Sequence, residues 1–172
     1  MFYNLYQLQT LTAFAIIMQK DGESMEIERK FLINSLPENI LSYPAHTIEQ
    51  AYLCLEPVVR IRRCDDEYTL TYKSKGFLAR EEYNLPLNEK SYAHLKAKAD
   101  GIIITKKRYL IPFSENLTIE LDIFEAPYQG LQLAEIEFST ENEALAFMPP
   151  HWFGEEVTYS AAYQNSTLGQ IS

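Results

Sequence analysis

The sequence predicts an α+β protein built mainly from one antiparallel β-meander. Eight short segments read as strands, and tight turns connect most of them in sequence, which favours antiparallel neighbours. Twelve tyrosines and nine phenylalanines supply residues that suit strands. Charged residues also recur at i and i+2 along these segments, usually with an apolar residue between them.

Met25 to Leu32 forms the first strand, with Glu26, Glu28 and Lys30 on one face and Ile27, Arg29 and Phe31 on the other. Asn34-Ser35-Leu36-Pro37 opens a short helical segment with proline near its first turn. Strands are expected over Thr47–Glu56, Val58–Cys64, Tyr68–Lys75 and Ala79–Leu87. Asp65-Asp66-Glu67 and Gly76 supply two of the turns. Asn88 caps a predicted helix from Glu89 to about Ala99, with Tyr92, Leu95 and Ala99 near one face and Gly101 closing it. Three further strands follow, over Ile102–Ile111, Leu117–Glu125 and Leu131–Ser139. Thr140 precedes a helix over Glu141–Met148 that Pro149-Pro150 stops. Trp152 and Phe153 are expected as a hydrophobic plug, and a last helix spans Ser160 to Leu168.

With 172 residues and nearly half of them hydrophobic, the chain suits one folded domain, expected from Met25 to the end. Residues 1–24 read as an appendage outside it. Their apolar run, Leu11 to Met18, is too short to span a bilayer, and no basic segment or small-residue cleavage site accompanies it. A cytoplasmic protein without a membrane partner is expected. The formal charge of −9 argues against a nucleic-acid partner, so an acidic chain that binds a polyanion must cluster its basic groups and recruit metal cations. Cys54 and Cys64 form no CxxC motif, and His46, His94 and His151 sit in unrelated contexts. Neither a disulfide framework, a zinc site nor a histidine-centred mechanism is expected from these spacings.

The i, i+2 pairs carry the chemistry. Arg60 and Arg62 share a face, as do Lys73 and Lys75, Arg80 and Glu82, and Lys106 and Arg108, although Lys107 breaks the apolar alternation. Glu120 and Asp122 form one acidic pair, and Glu135 and Glu137 another. Alternation of this kind commonly marks the solvated face of a half-exposed strand. Here, however, acidic and basic pairs segregate by strand. An eight-stranded barrel with the charged faces turned inward gives both kinds a shared interior. Carboxylates there suit a hard cation such as Mg²⁺, while Arg forks and Lys ammonium groups suit phosphate oxygens. Together they point to phosphoanhydride chemistry on a polyphosphate.

The ordered series resembles the CYTH superfamily, the triphosphate tunnel metalloenzymes, over nearly all of Met25 to Leu168. It begins with the ExExK hallmark, Glu26-Ile27-Glu28-Arg29-Lys30. Arg60-Ile61-Arg62, Lys73, Glu82, Lys106 with Arg108, Glu120-Leu121-Asp122 and Glu135-Ile136-Glu137-Phe138 continue it. The ending Trp152-Phe153-Gly154-Glu155-Glu156-Val157-Thr158 is similar to that of short bacterial members with inorganic triphosphatase activity. The resemblance implies a closed antiparallel β-barrel tunnel, dependence on a divalent metal (Mg²⁺ or Mn²⁺), and attack of water on a terminal phosphate. On this basis Glu26, Glu28, Glu120, Asp122, Glu135 and Glu137 are expected on the metal side. Lys30, Arg60, Arg62, Lys73 and Arg108 are expected to hold phosphate, with Glu82 and Lys75 in support. The resemblance also implies that Lys106 and Tyr52 govern the hydrolytic water. Adenylate cyclase, thiamine or nucleoside triphosphatase, and a non-catalytic polyphosphate-binding module are the alternative functions, and a homodimer stays open. The chain departs from many relatives before Tyr163, where Ala161-Ala162 stands in place of a basic residue.

Overall fold

Residues 24–114 and 116–170 are described by a computed structural model. The expectation that residues 1–24 form an appendage falls almost wholly outside the described residues. Nine strands form one sheet: β1 (Ser24–Ile33), β2 (Ala45–Leu55), β3 (Val58–Cys64), β4 (Glu67–Lys73), β5 (Ala79–Leu87), β6 (Asp100–Pro112), β7 (Thr118–Phe124), β8 (Gln132–Glu137) and β9 (Phe153–Glu156). All neighbours are antiparallel, in the order β5-β4-β3-β2-β6-β7-β8-β1-β9. β1 also pairs with β5, from Ser24↔Glu82 to Ile27↔Ala79, and that pairing closes eight strands into a barrel. Closure removes the sheet edges that would otherwise template aggregation.

The pleat sorts side chains between two environments. On the outward face of β1, β6, β7 and β8, Ile27, Phe31, Ile119, Leu121 and Ile136 form the main hydrophobic core with Phe147, Trp152 and Phe153. The segment that covers them contains α2 (Glu141–Ala146), capped by the Thr140 hydroxyl, which accepts from the Glu143 N–H. Trp152 and Phe153 thus form the expected plug, and Phe153 also begins β9, an added strand beyond the eight read from sequence. Arg29 looks misplaced between Ile27 and Phe31. Its guanidinium grips both Glu156 carboxylate oxygens and donates to the Ala144 and Phe147 carbonyls, which ties α2 and β9 to β1. A second outer cluster packs α1 (Glu89–Lys96) over β2, β3 and β4 through Tyr92, Ile61 and Ala51.

Asn88 caps α1 as expected, its side chain accepting from the Ser91 N–H. Gly101 does not close the helix, which ends at Lys96; it lies near the start of β6 with φ +78°. The last helix is also shorter than expected. A 3₁₀ turn over Ala161–Tyr163 and α3 (Asn165–Leu168) are separated by Gln164 in an extended conformation. Among the described residues no helix is long and apolar enough to cross a membrane.

This C-terminal segment covers one end of the barrel. Ile102 N–H donates to the Gly169 carbonyl at 2.9 Å, and the Tyr128 hydroxyl donates to the Leu168 carbonyl. A Cβ on Gly101 would stand 2.0 Å from the Gly169 oxygen, and one on Gly169 would stand 2.5 Å from the Tyr52 ring. Both glycines therefore permit a close backbone approach. Gly101→Ala should destabilise the protein by at least the 1–2 kcal/mol associated with left-handed backbone for an L-residue. It should also raise hydrogen exchange in residues 161–170. Chemical denaturation and exchange mass spectrometry check both. An unchanged midpoint and unchanged exchange would mean that the C-terminal segment does not depend on this contact.

Candidate active site

The barrel interior is a charged cavity of about 210 Å³. Its wall carries seven cationic and six acidic side chains. β1 contributes Glu26, Glu28 and Lys30, β3 contributes Arg60 and Arg62, and β4 and β5 add Lys73, Arg80 and Glu82. Lys106 and Arg108 come from β6, Glu120 from β7, and Glu135 and Glu137 from β8. Alternation places them there. Arg60 and Arg62 face the cavity while Ile61 between them is fully buried under α1, and Leu121 and Ile136 are likewise buried between inward carboxylates.

Most of these charges are already paired. Lys73 Nζ lies 2.5 Å from both Glu26 and Glu82, and Arg80 bridges Glu26 at 2.7 Å and Glu28 at 3.0 Å. Burial works against the Glu82 charge, yet Lys73 and Asn84 hold its pKa down to about 2. Lys30 lies 2.7 Å from Glu135 and 3.8 Å from Glu28. Burial disfavours its ammonium, but these two carboxylates outweigh burial and raise its pKa. Glu135 is also opposed by burial, and Lys30, Lys106 and Arg108 hold it well below the usual carboxylate range.

Asp122 does not line the cavity. It is fully buried behind the wall, where it accepts from Lys106 and, at 2.7 and 2.6 Å, from the Arg108 fork. That geometry makes it a positioning group for Lys106 and Arg108 rather than a member of the open acidic surface. Arg108 also reaches Glu120 and Glu135. Lys75 departs further from expectation. β4 ends at Lys73, and the turn carries Lys75 outside the barrel, 81% exposed and paired with Glu56.

Two charged sets are left over. Among the described residues, neither Arg60 nor Arg62 has an acidic partner, and the buried Nε of each makes no hydrogen bond. Burial and the neighbouring Arg60 and Arg108 lower the Arg62 pKa, the expected effect of confining like charges. Glu137 is the acidic counterpart, with no cationic partner among the described residues. Burial and the carboxylates of Glu26, Glu120, Glu82 and Glu28 push its pKa up. An anion beside β3 and a cation beside Glu137 would relieve the two imbalances. The all-oxygen donor set around Glu137 fits a hard divalent cation.

Lys106 and Tyr52 both line the cavity and are almost fully buried. No hydrogen bond joins them. Lys106 donates to Asp122, and the Tyr52 hydroxyl accepts from Gln50 Nε2 at 3.1 Å. Burial, with Arg108, lowers the Lys106 pKa against the pull of Asp122 and Glu135, and burial pushes the Tyr52 hydroxyl up. Sequence reasoning passed over Arg80, Gln50 and the Gln164–Ser166 segment as site residues, and all of them line the cavity. Arg80 carried a signal in its i, i+2 relation to Glu82. Gln50 shares its strand face with Tyr52 but has no charge to mark it. Asn165 donates to Glu135 at 3.5 Å, and its buried Oδ1 has no partner.

Residues 24–157 match the family described as the CYTH domain. An inorganic triphosphatase of Nitrosomonas europaea is 38% identical over 146 residues, which cover 83% of this chain and 95% of that protein. An inorganic triphosphatase of Acetivibrio thermocellus is 35% identical over 153 residues, covering 83% of this chain and 92% of its own. The crystal structure of the inorganic triphosphatase NE1496 aligns with a TM-score of 0.65 at 34% identity, over 86% of this chain and 95% of that one.

Glu137 provides a test of the cation side. Because its folded-state pKa is raised, its contribution to stability is present at low pH and is lost as pH rises through that value. Glu137→Gln should therefore raise the melting temperature of the metal-free protein only above that range. Solvent screening at this exposed position limits the gain to under about 1 kcal/mol. Added Mg²⁺ or Mn²⁺ should stabilise the wild type more than the variant. Thermal unfolding from pH 4 to 8, with and without metal, measures both effects. Equal metal stabilisation of the two proteins would remove Glu137 from the cation site.

Proposed function

The chain belongs to the CYTH domain family, and from that membership and the unpaired charges of the tunnel we propose that it hydrolyses inorganic triphosphate to diphosphate and phosphate. The observation that supports this reading most directly is the pair of inward-facing guanidiniums on β3, Arg60 buried and Arg62 half-buried. With no acidic partner among the described residues, they face a cavity whose other cations are already paired with carboxylates. A linear polyphosphate supplies several anionic oxygens to such a surface. The cavity offers little to a base or thiazole ring, since its apolar lining is confined to Ile48, Val58 and the buried Tyr52.

In this reading Arg60 and Arg62 grip phosphate oxygens through their forks, and Lys30, Lys73, Arg80 and Arg108 distribute further positive charge along the chain. Glu137 holds a divalent cation, Mg²⁺ or Mn²⁺, with Glu28 and Glu120 beside it and Glu26 and Glu135 in support. When bound, the cation neutralises charge on the transferring phosphoryl group. Water attacks the terminal phosphorus, the phosphoanhydride bond breaks, and diphosphate departs. Lys106 faces this chemistry with its ammonium easier to deprotonate than that of an ordinary lysine, so its neutral amine serves to take the water's proton and its ammonium form to orient the water oxygen. Tyr52, kept neutral by burial, lines the same cavity with its hydroxyl accepting from Gln50. Asp122 holds Lys106 and Arg108 in place, and Glu82 anchors Lys73.

Tripolyphosphate, ATP and thiamine triphosphate, assayed side by side with Mg²⁺ and with Mn²⁺, test the proposal. Phosphate release is expected to be fastest from tripolyphosphate. Cyclic AMP from ATP would favour the cyclase alternative, preference for thiamine triphosphate a thiamine triphosphatase, and tight binding without turnover a non-catalytic module. Arg60→Lys should lose about 1–3 kcal/mol of transition-state stabilisation, because lysine keeps the charge but not the fork. An unchanged kcat/KM would place Arg60 off the phosphate path.

A further inference from the structure

Spacing in the sequence separates His46 from Cys64 by eighteen positions, but the register of β2 and β3 brings them together. Cys64 lies opposite Ile48, two residues along β2 from His46. Cys64 also follows Arg62 by two positions, and Ile48 and Arg62 both line the tunnel. His46 and Cys64 therefore continue the inner face of the barrel to its rim. Asp65, the first residue of the β3–β4 turn, completes the group.

Asp65 is rigidly presented. It adopts φ +51°, its N–H donates to the Thr47 carbonyl at 2.9 Å, and its Oδ1 accepts from the Thr47 N–H at 2.9 Å. The other carboxylate oxygen lies 2.6 Å from His46 Nδ1 and orients the imidazole. One ligand atom from each of His46, Cys64 and Asp65 lies within 4.8 Å of the other two. Donors on one tetrahedral zinc-type ion stand about 3.3–3.8 Å apart, so side-chain rotations that close the widest gap by about 1 Å bring all three onto a single cation.

We propose that His46, Cys64 and Asp65 form a binding site for a borderline transition-metal dication of the Zn²⁺ class at the tunnel rim. Sulfur and nitrogen donors discriminate against Mg²⁺, which prefers oxygen, so this site is chemically distinct from the carboxylate corner around Glu137. Charge also favours it. A dication with one thiolate, one carboxylate and a neutral imidazole is electrically neutral, so the occupied site sets no net positive charge beside Arg62 and Arg108. Binding releases the Cys64 proton to solvent. Three protein ligands leave a fourth position open for water. An ion here fastens β2 to the β3–β4 turn and stiffens the rim.

Titration of the full chain with Co²⁺ in excess Mg²⁺ tests the site, because thiolate ligation gives a near-ultraviolet charge-transfer band that oxygen ligation does not. The band should saturate at one equivalent and bleach on addition of Zn²⁺. It should survive Cys54→Ser, which removes the other thiol, and vanish in Cys64→Ser. His46→Ala should weaken Co²⁺ binding by about tenfold or more. No band in the wild type, or a band that persists in Cys64→Ser, overturns the proposal.

Discussion

The buried ion network inside the barrel is the constraint around which this fold is arranged. Charges removed from water are tolerated only when paired and hydrogen-bonded. Here the pairing runs between strands: Lys30 to Glu135 joins β1 to β8, Lys73 to Glu26 and Glu82 joins β4 to β1 and β5, and Arg108 joins β6 to β7 and β8. Each contact requires a particular register, and a one-residue slip would send these groups into the apolar outer layer. The network therefore supports register and closure as well as chemistry. The hydrophobic core takes the opposite side of the same strands, under α1, α2 and β9.

Against that balanced background, the unbalanced groups gain meaning. Arg60 and Arg62 on one side and Glu137 on another are left with charge to offer. A protein with only a structural ion network would have no reason to confine two guanidiniums without a counterion. The arrangement is preorganised, since the neighbours that could collapse onto them are already engaged. Lys106 shows the same economy. Asp122 holds it from behind, and burial keeps its ammonium less firmly protonated than a free lysine.

How much was legible in the sequence follows from which physical signals are periodic. Strand alternation made the charged faces visible, because Glu26, Arg60, Glu120 and Glu135 each stand two residues from a like or complementary charge. The same periodicity misled at Lys75, since alternation in sequence cannot show that β4 has ended and the turn has begun. It also could not separate Asp122 from Glu120. Both face inward, and only the cross-strand reach of Arg108 and Lys106 buries one behind the other. Gln50 and Asn165 gave no charge signal. Gly101 read as a helix stop because a glycine after a periodic run usually is one, whereas its use depends on the distant Gly169. β9 is short and takes its register from contacts with Phe31 and Ile33 that no local pattern specifies.

The central claim is that the tunnel holds a polyphosphate against β3 and a divalent cation against Glu137. The most direct measurement is a crystal structure with a non-hydrolysable imido analogue of triphosphate and Mn²⁺, with anomalous data collected to locate the metal. The account predicts phosphate oxygens within hydrogen-bonding distance of Arg60 and Arg62 and an anomalous peak beside the Glu137 carboxylate. Analogue bound outside the barrel, or inside it with both guanidiniums untouched and no peak near Glu137, would contradict it.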